Sequence, residues 1–130
     1  MPTLVKTGQL ATPSILSTVA GIDLKTVATT NLYTVPTGKV AMITEVIIRI
    51  TAATSFTVTS TLGVGVAAGE ADIMASTALV GLTVLGGVYR FSCEGTFVSV
   101  AAASVIKLGV DTGATATTAT GEVTLIGFLL

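Results

Sequence analysis

The sequence contains no histidine and no tryptophan, and its one cysteine is Cys93. Without histidine there is no imidazole base, so Ser-His and Cys-His catalytic pairs and histidine metal ligands are excluded. A single cysteine can form neither a disulfide within the chain nor a cysteine zinc cage. Because no histidine is present to activate it, we expect Cys93 to be a small buried hydrophobe rather than a nucleophile.

Charged residues are also scarce. They make up 10% of the sequence, and hydrophobic residues make up 51%, whereas a typical domain is roughly 25% charged. The net charge is −1, and the basic residues are scattered along the chain: Lys6, Lys25, Lys39, Arg49, Arg90 and Lys107. A phosphate-binding surface needs concentrated positive charge, so we predict no nucleic-acid partner.

Such a charge-poor chain either enters a membrane or buries much of its surface against other protein. The longest uncharged run, from Ile50 to Gly69, has the length of a membrane-spanning helix. Its apolar residues alternate with Thr, Ser and Gly instead of clustering, which argues against such a helix. Pro13 interrupts the weakly apolar stretch after Lys6, so the first residues do not resemble a signal peptide. We therefore predict no membrane partner, synthesis in a cytoplasm, and burial against protein.

The dominant periodicity is two, which indicates β-strands. In the segment 56–64, apolar residues fall on one face and threonines on the other, the pattern of a half-buried strand. A second long strand is predicted from Val40 to Ile50. Its centre, Val46-Ile47-Ile48, is apolar on both faces, so we expect it to be covered by a sheet inside and by a neighbouring subunit outside.

Turn-forming residues such as Pro36-Thr37-Gly38 separate the strands. Strands are predicted near residues 22–27, 31–35, 40–50, 55–64, 84–92, 96–100, 104–111 and 122–130. About eight short strands separated by regular turns predict an all-β fold, either a sandwich or a barrel.

The remaining segments have other patterns. Residues 1–18 carry two prolines and no sustained period, so we predict an extended N-terminal arm followed by a single domain over residues 19–130. Asp72 is a plausible N-cap for a short helical turn that runs to Leu79. Residues 111–121 are interpreted as a long loop of small residues.

The acidic residues could carry chemistry only in pairs or clusters. Two of them could meet across a sheet as a glycosidase pair, but such a site also needs sugar-stacking aromatics, which are few here. Glu70-Ala71-Asp72 has oxygen ligands for calcium but lacks the acid density of a calcium loop, so capping explains it better. The full set is Asp23, Glu45, Glu70, Asp72, Glu94, Asp111 and Glu122.

The glycines fit no nucleotide-binding motif. Gly63-Val64-Gly65 lacks a third glycine at the dinucleotide-binding spacing, and Gly38-Lys39-Val40 lacks the hydroxyl residue of a phosphate-binding loop. Turns and bulges are the ordinary role of such glycines. We therefore predict no catalytic, cofactor-binding or metal-binding residues, and no enzymatic activity.

One segment resembles a known family. Tyr33-Thr34-Val35-Pro36-Thr37-Gly38-Lys39, followed by Ile43-Thr44-Glu45-Val46, is similar to an opening that small bacteriophage structural proteins carry before a strand. Residues 78–83, the Thr/Ala loop and the closing segment 121–128 are similar in style, so the resemblance covers most of residues 31–130. The family is that of jelly-roll virion proteins of phages, mainly capsid decoration (cement) proteins but also head-fibre and tail components.

The resemblance implies a fold and a function. It implies an antiparallel, jelly-roll-like β-sandwich of about eight strands, located in the virion, that decorates and stabilises a capsid. Such proteins commonly form trimers, so the expected partners are two further copies of the chain and the major capsid protein or another virion protein. The family has no catalytic motif, so no functional residue is carried over.

Two alternatives remain from the residues themselves. A tail or head-fibre module that binds a receptor or glycan would need a concave site with a stacking aromatic, and only Tyr33, Tyr89 and four phenylalanines are available. A small glycosidase would need two carboxylates about 5–10 Å apart in a cleft.

Overall fold

The computed structural model describes residues 13–67, 71–92 and 98–130. Over these residues the chain forms nine β-strands and no helix. The strands are β1 (Ser14–Asp23), β2 (Ala28–Thr34), β3 (Ala41–Thr54), β4 (Thr61–Gly65), β5 (Met74–Ala78), β6 (Val88–Ser92), β7 (Val98–Val100), β8 (Val105–Thr112) and β9 (Thr118–Leu129). The described part of the chain thus contains no helix that could span a membrane.

The strands form two antiparallel sheets. Sheet A has the order β1-β9-β3-β6, and β7 pairs with the first residues of β3 beside β6; sheet B has the order β2-β8-β4-β5. The sheets meet at β1 and β2, where the Ser17 hydroxyl donates a 2.6 Å hydrogen bond to the carbonyl oxygen of Leu32. The predicted all-β antiparallel sandwich is confirmed.

The core lies between the two sheets and follows the period of two. Alternate residues of the long strands point inward and are fully buried, such as Ile48 of β3 and Leu125 of β9. Sheet B contributes Leu62 of β4 and Leu108 of β8 to the same cluster. Burying one such side chain stabilises the fold by about 1.5–3 kcal/mol, so this cluster is the main source of stability.

A β-bulge interrupts the alternation in β3. The register with β9 shifts between Ile43 and Glu45, so Ile43 and Val46 both point into the core although they are three residues apart. Thr44 and Glu45 therefore both lie on the outer side. The Thr44 hydroxyl donates to the carbonyl oxygen of Ile126 at 3.1 Å, which ties the bulge to β9.

The helical turn predicted for residues 72–79 is wrong. Met74–Ala78 is strand β5, which covers the open edge of β4. Asp72 does not cap a helix: its Oδ1 accepts hydrogen bonds from the backbone N–H groups of Val66 at 2.7 Å and Ala67 at 3.2 Å. A short aspartate side chain satisfies backbone donors equally well in a loop, so the capping signal did not distinguish the two structures.

Several other boundaries differ from the predictions. Most of the strand predicted over residues 22–27 is the connection between β1 and β2, and the strand predicted over residues 84–92 begins only at Val88. The first strand begins at Ser14, so residues 14–18 belong to sheet A, while residues 1–12 of the predicted arm lie outside the described residues. The strand expected over residues 55–64 covers only Thr61–Gly65. Ser55, directly after β3, takes a positive φ of 51°, and Val58 makes an isolated bridge with Thr115. The loop predicted for residues 111–121 is shorter, since β9 begins at Thr118.

Candidate interaction surface

The described residues offer no recognisable reaction site. They enclose no pocket, and nowhere in these ranges do three or more His, Cys, Asp or Glu side chains come together. Cys93, Glu70 and Glu94 lie outside the described residues. Their predicted roles therefore stay predictions.

Each of the five described acids has its own local partner. Asp72 holds the loop after β4, as given above, and Asp111 accepts a hydrogen bond from the Ser76 hydroxyl. Glu45 accepts a hydrogen bond from the Arg90 guanidinium, and the Nη2 of Arg49 lies 3.2 Å from the Oε1 of Glu122. These contacts are turn caps and cross-strand pairs, as expected of solvated acids in an antiparallel sheet.

Asp23 is the fifth acid, and it organises the turn between β1 and β2. The backbone N–H of Lys25 donates to its Oδ1 at 2.9 Å, and the Thr26 hydroxyl donates to its Oδ2 at 2.7 Å. These hydrogen bonds stabilise the charged carboxylate and hold the pKa of Asp23 below its usual value; its slight burial opposes the shift, and the nearby Lys25 charge adds to it. The group therefore serves as a turn cap.

The outer face of sheet A is the side of that sheet that points away from the core. We use this name for the outward side chains of its four strands, which form three rows across the sheet. The rows are Ile15–Ile126–Glu45–Ser92, Thr18–Thr124–Ile47–Arg90 and Glu122–Arg49–Val88. Ile126 and Ile47 stand at its centre and are half-buried in the single chain.

Charge on this face is neutralised within the chain. Its two arginines and two glutamates form the pairs Arg49–Glu122 and Arg90–Glu45, each joining neighbouring strands. Between the pairs, the hydroxyls of Thr18 and Thr124 share a 3.2 Å hydrogen bond. The face therefore presents isoleucines and threonines without net charge, so it can meet a protein surface without leaving an unpaired charge buried.

The prediction for the centre of β3 has two parts. Val46 and Ile48 point into the core and are fully buried, which confirms the inner half. Ile47 points to the outer face and is half-buried. The neighbouring subunit that would cover it remains a proposal.

A second apolar surface lies where β5 passes to β6. Val80, Val84, Leu85 and Val88 are among the exposed large hydrophobic residues; Val80 is 87% exposed and Leu85 69%. We call residues 79–88 the apolar corner. Gly81 and Gly86, which stand between aliphatic residues, were a signal that the sequence offered, because glycines in such a stretch mark turns.

Comparisons with known proteins bear on the fold. No protein-family model and no curated protein sequence matches the chain. Among solved structures, a chain of the cyanophage Pam1 capsid asymmetric unit matches with a TM-score of 0.59 and 19% identity, over 91% of this chain and 85% of that one. A chain of the acidic stable capsid structure of the Helicobacter pylori bacteriophage KHP30 matches with a TM-score of 0.58 and 11% identity, over 92% of this chain and 95% of that one.

This chain shares its fold with chains of two phage capsids. The likeness extends over nine-tenths of its length, so it includes both sheets rather than one hairpin. At these identities it establishes architecture alone. The jelly-roll-like sandwich predicted by resemblance is confirmed.

Proposed function

We propose that this chain is a structural protein of a phage virion, which decorates and stabilises the capsid as a homotrimer. The observation that carries the proposal is the fold, shared over almost the whole chain with chains of two phage capsids. The function requires no chemistry. It requires surfaces that hold other proteins, and the outer face of sheet A and the apolar corner are candidates for them.

The composition of the surface supports this role. An ordinary soluble domain covers its outer strands with lysine and glutamate, whereas this chain has 10% charged residues and uses threonine and isoleucine instead. A stable interface buries about 800 Å² per partner, and obligate oligomers bury more and are more apolar. Small β-branched side chains suit such contacts because they lose little conformational entropy on burial.

Residues 1–12 form the second part of the proposal. We propose that they reach from the sandwich and clasp the capsid or a neighbouring subunit. An extended segment adds contact area at an entropic cost that is offset only on assembly. Because Ser14–Asp23 pairs with β9, the arm that can be removed without cutting sheet A ends before Ser14.

Two deletions test the arm. Removing residues 1–12 should leave the unfolding midpoint almost unchanged and abolish attachment to particles. Removing residues 1–18 should also lower the midpoint, since it deletes the pairs from Ser14–Gly127 to Thr18–Thr124. Normal attachment of the shorter deletion variant would refute the clasp.

Electron microscopy of particles assembled with and without the protein tests the location. Density on the capsid surface that appears only with the protein would support decoration. Density at the tail or on a fibre would instead favour the receptor- or glycan-binding alternative. Sedimentation of the purified chain should give the mass of about three copies, and a stable monomer in dilute solution would refute the homotrimer.

A further inference from the structure

A trimer with three-fold symmetry joins each copy to the next through two different surfaces. A two-fold contact uses one patch twice, but a ring of three is closed by heterologous contacts, in which patch one of each copy meets patch two of its neighbour. Resting on the proposed homotrimer, we propose that the apolar corner of one copy packs on the outer face of sheet A of the next copy.

The apolar corner has the composition of a buried contact. No charged residue occurs between Asp72 and Arg90 in the sequence. Four aliphatic side chains nevertheless stand exposed within residues 80–88. Contiguous exposed aliphatic side chains on a soluble domain commonly mark a protein contact. Docking this segment removes no charge from water, so its burial carries no ionic desolvation penalty.

The corner is held in shape before any partner arrives. Leu82 N–H donates to the Leu79 carbonyl at 3.0 Å around Gly81, and Gly87 N–H donates to the Val84 carbonyl at 3.0 Å around Gly86. Both glycines have φ near +80°, the pattern of type II turns. Such a preformed loop loses little freedom on binding, which favours a tight contact.

Hydrogen bonds and buried leucines anchor these turns to the sandwich. Ile50 of β3 exchanges backbone hydrogen bonds of 2.8 Å with Gly86 and Gly87, and Leu79 N–H donates to the Ser60 carbonyl at 3.2 Å. Leu79 and Leu82 are buried below the turns. The exposed side chains therefore project from a fixed base instead of folding back onto the core.

The receiving surface has matching chemistry. Ile47 and Ile126 are half-buried at the centre of the outer face, with Thr18 and Thr124 beside them. The charged residues of this face are paired with one another, as described above. An aliphatic side chain such as Leu85 can therefore cover this centre without removing water from an unpaired charge.

The position of the corner allows the ring to close. Val88 is the last residue of the corner and, as the first residue of β6, also ends the third row of the outer face opposite Arg49, so the two surfaces adjoin there. The corner therefore flanks one edge of the outer face. If the outer faces of three copies turn toward a common axis, the apolar corner of each copy meets the outer face of the next. This arrangement satisfies the geometry of a heterologous contact.

Three variants test the contact by mass. Leu85→Asp places a charge in the corner, and Ile126→Lys places one in the receiving face, where its ammonium can meet Glu45. Val27→Asp is the control, because Val27 is 66% exposed in the connection between β1 and β2 and belongs to neither surface. Sedimentation should give monomers for the first two variants and trimers for the control. Circular dichroism should be unchanged for all three, and the midpoints of the two monomeric variants should be lower and independent of protein concentration, because association no longer stabilises the folded chain.

The outcomes separate this inference from the proposed function. A wild-type chain that is monomeric overturns the homotrimer and this contact with it. A wild-type trimer that survives Leu85→Asp overturns the contact and leaves the homotrimer standing. Loss of the trimer in Val27→Asp as well would show that any exposed charge disrupts it, and would also overturn the assignment.

Cross-linking tests the pairing directly. In a Cys93→Ser background, a chain carrying both Leu85→Cys and Ile126→Cys should give covalent dimers and trimers with a short bismaleimide, because each corner meets a neighbouring face. Neither single-cysteine chain should give a covalent trimer, and the matched chain with Val27→Cys and Ile126→Cys should not either. A trimeric double variant that gives no covalent trimer would refute the contact.

Discussion

Ile47 and Ile48 are adjacent in β3 and have the same side chain, yet they lie in different regions of the molecule. Ile48 is 0% exposed and belongs to the core between the sheets. Ile47 stands half-buried on the outer face, between Thr124 of β9 and Arg90 of β6. On the inner face, Val123 of β9 and the partly buried Tyr89 of β6 lie opposite Ile48. The outer face mixes isoleucine with threonine and paired charges.

The difference shows how one strand can serve folding and association separately. The inner side chains are buried when the two sheets pack, so their full contribution to folding stability is already made in the single chain. The outer side chains remain partly in water, so a neighbouring protein can still gain from covering them. Substitutions on the two faces should consequently move different measurements.

The largest expected effect is on the inner face. Ile48→Ala should lower the free energy of unfolding by about 2–5 kcal/mol, since it removes buried methyl groups and leaves a cavity. Ile47→Ala, the same substitution one residue earlier, should lower it by about 1 kcal/mol or less when the chain is monomeric. Urea unfolding of dilute protein measures both values. Equal losses would contradict the separation of the two faces.

The sequence alone predicted the inner face of β3 well. It predicted a long strand over Val40 to Ile50 with an apolar centre, and the period of two within that centre puts Val46 and Ile48 on one face and Ile47 on the other. The bulge at Thr44 was not predicted. It depends on how β9, more than 70 residues away in the chain, sets its register against β3, and a local pattern carries no such information.

The weaker elements failed for identifiable physical reasons. Residues 118–121, Thr-Ala-Thr-Gly, alternate small polar and small apolar residues, so their hydrophobic signal was too weak to separate strand from loop. Met74–Ala78 forms a strand because the edge of β4 is available, which is a tertiary cause. In both cases pairing with another strand overrides the local preference.

The sequence predicted that the chain has protein-contact surfaces, but not the residue pairs that form them. Scarce charge predicted protein contact, and the apolar centre of β3 predicted a covered outer side. The pairs Arg49–Glu122 and Arg90–Glu45 could not be predicted, because each joins residues from distant parts of the chain. Without that pairing, the outer face would have been interpreted as carrying four separate charges.

Two serines test whether a hydroxyl in the sandwich contributes to stability only when it makes a hydrogen bond. Ser17→Ala should destabilise the chain by about 1 kcal/mol, because its hydroxyl joins the two sheets through Leu32. Within the described residues, Ser60 is buried and its hydroxyl oxygen makes no hydrogen bond. Ser60→Ala should therefore stabilise the chain, by up to about 1 kcal/mol. Thermal unfolding compares them, and a shift of the same sign in both would refute the distinction.

A smaller effect is expected from charges on the outer face. Arg49 and Glu122 lie directly opposite each other, with side chains 52% and 23% exposed. A double-mutant cycle with Arg49→Met and Glu122→Gln should give a coupling of about 0.2–1 kcal/mol that declines as salt is added. A coupling above about 2 kcal/mol, or one insensitive to salt, would mean that the pair is shielded from water in the free chain.

The smallest expected effect is a change with pH at Asp23, on the exposed turn after β1. Its pKa in the folded chain is lowered, chiefly by the backbone N–H of Lys25 and the Thr26 hydroxyl. The charged form therefore stabilises the fold at pH values above the unfolded pKa, and this contribution is lost as the pH falls through the folded pKa. Asp23→Asn retains one hydrogen-bond acceptor but no charge, so the wild-type chain should be slightly more stable at neutral pH. Below about pH 4 the difference in stability between the two chains should decrease and then level off. Unfolding midpoints of both chains from pH 7 to pH 2 measure this, and parallel curves over the whole range would show that the Asp23 charge contributes nothing to the turn.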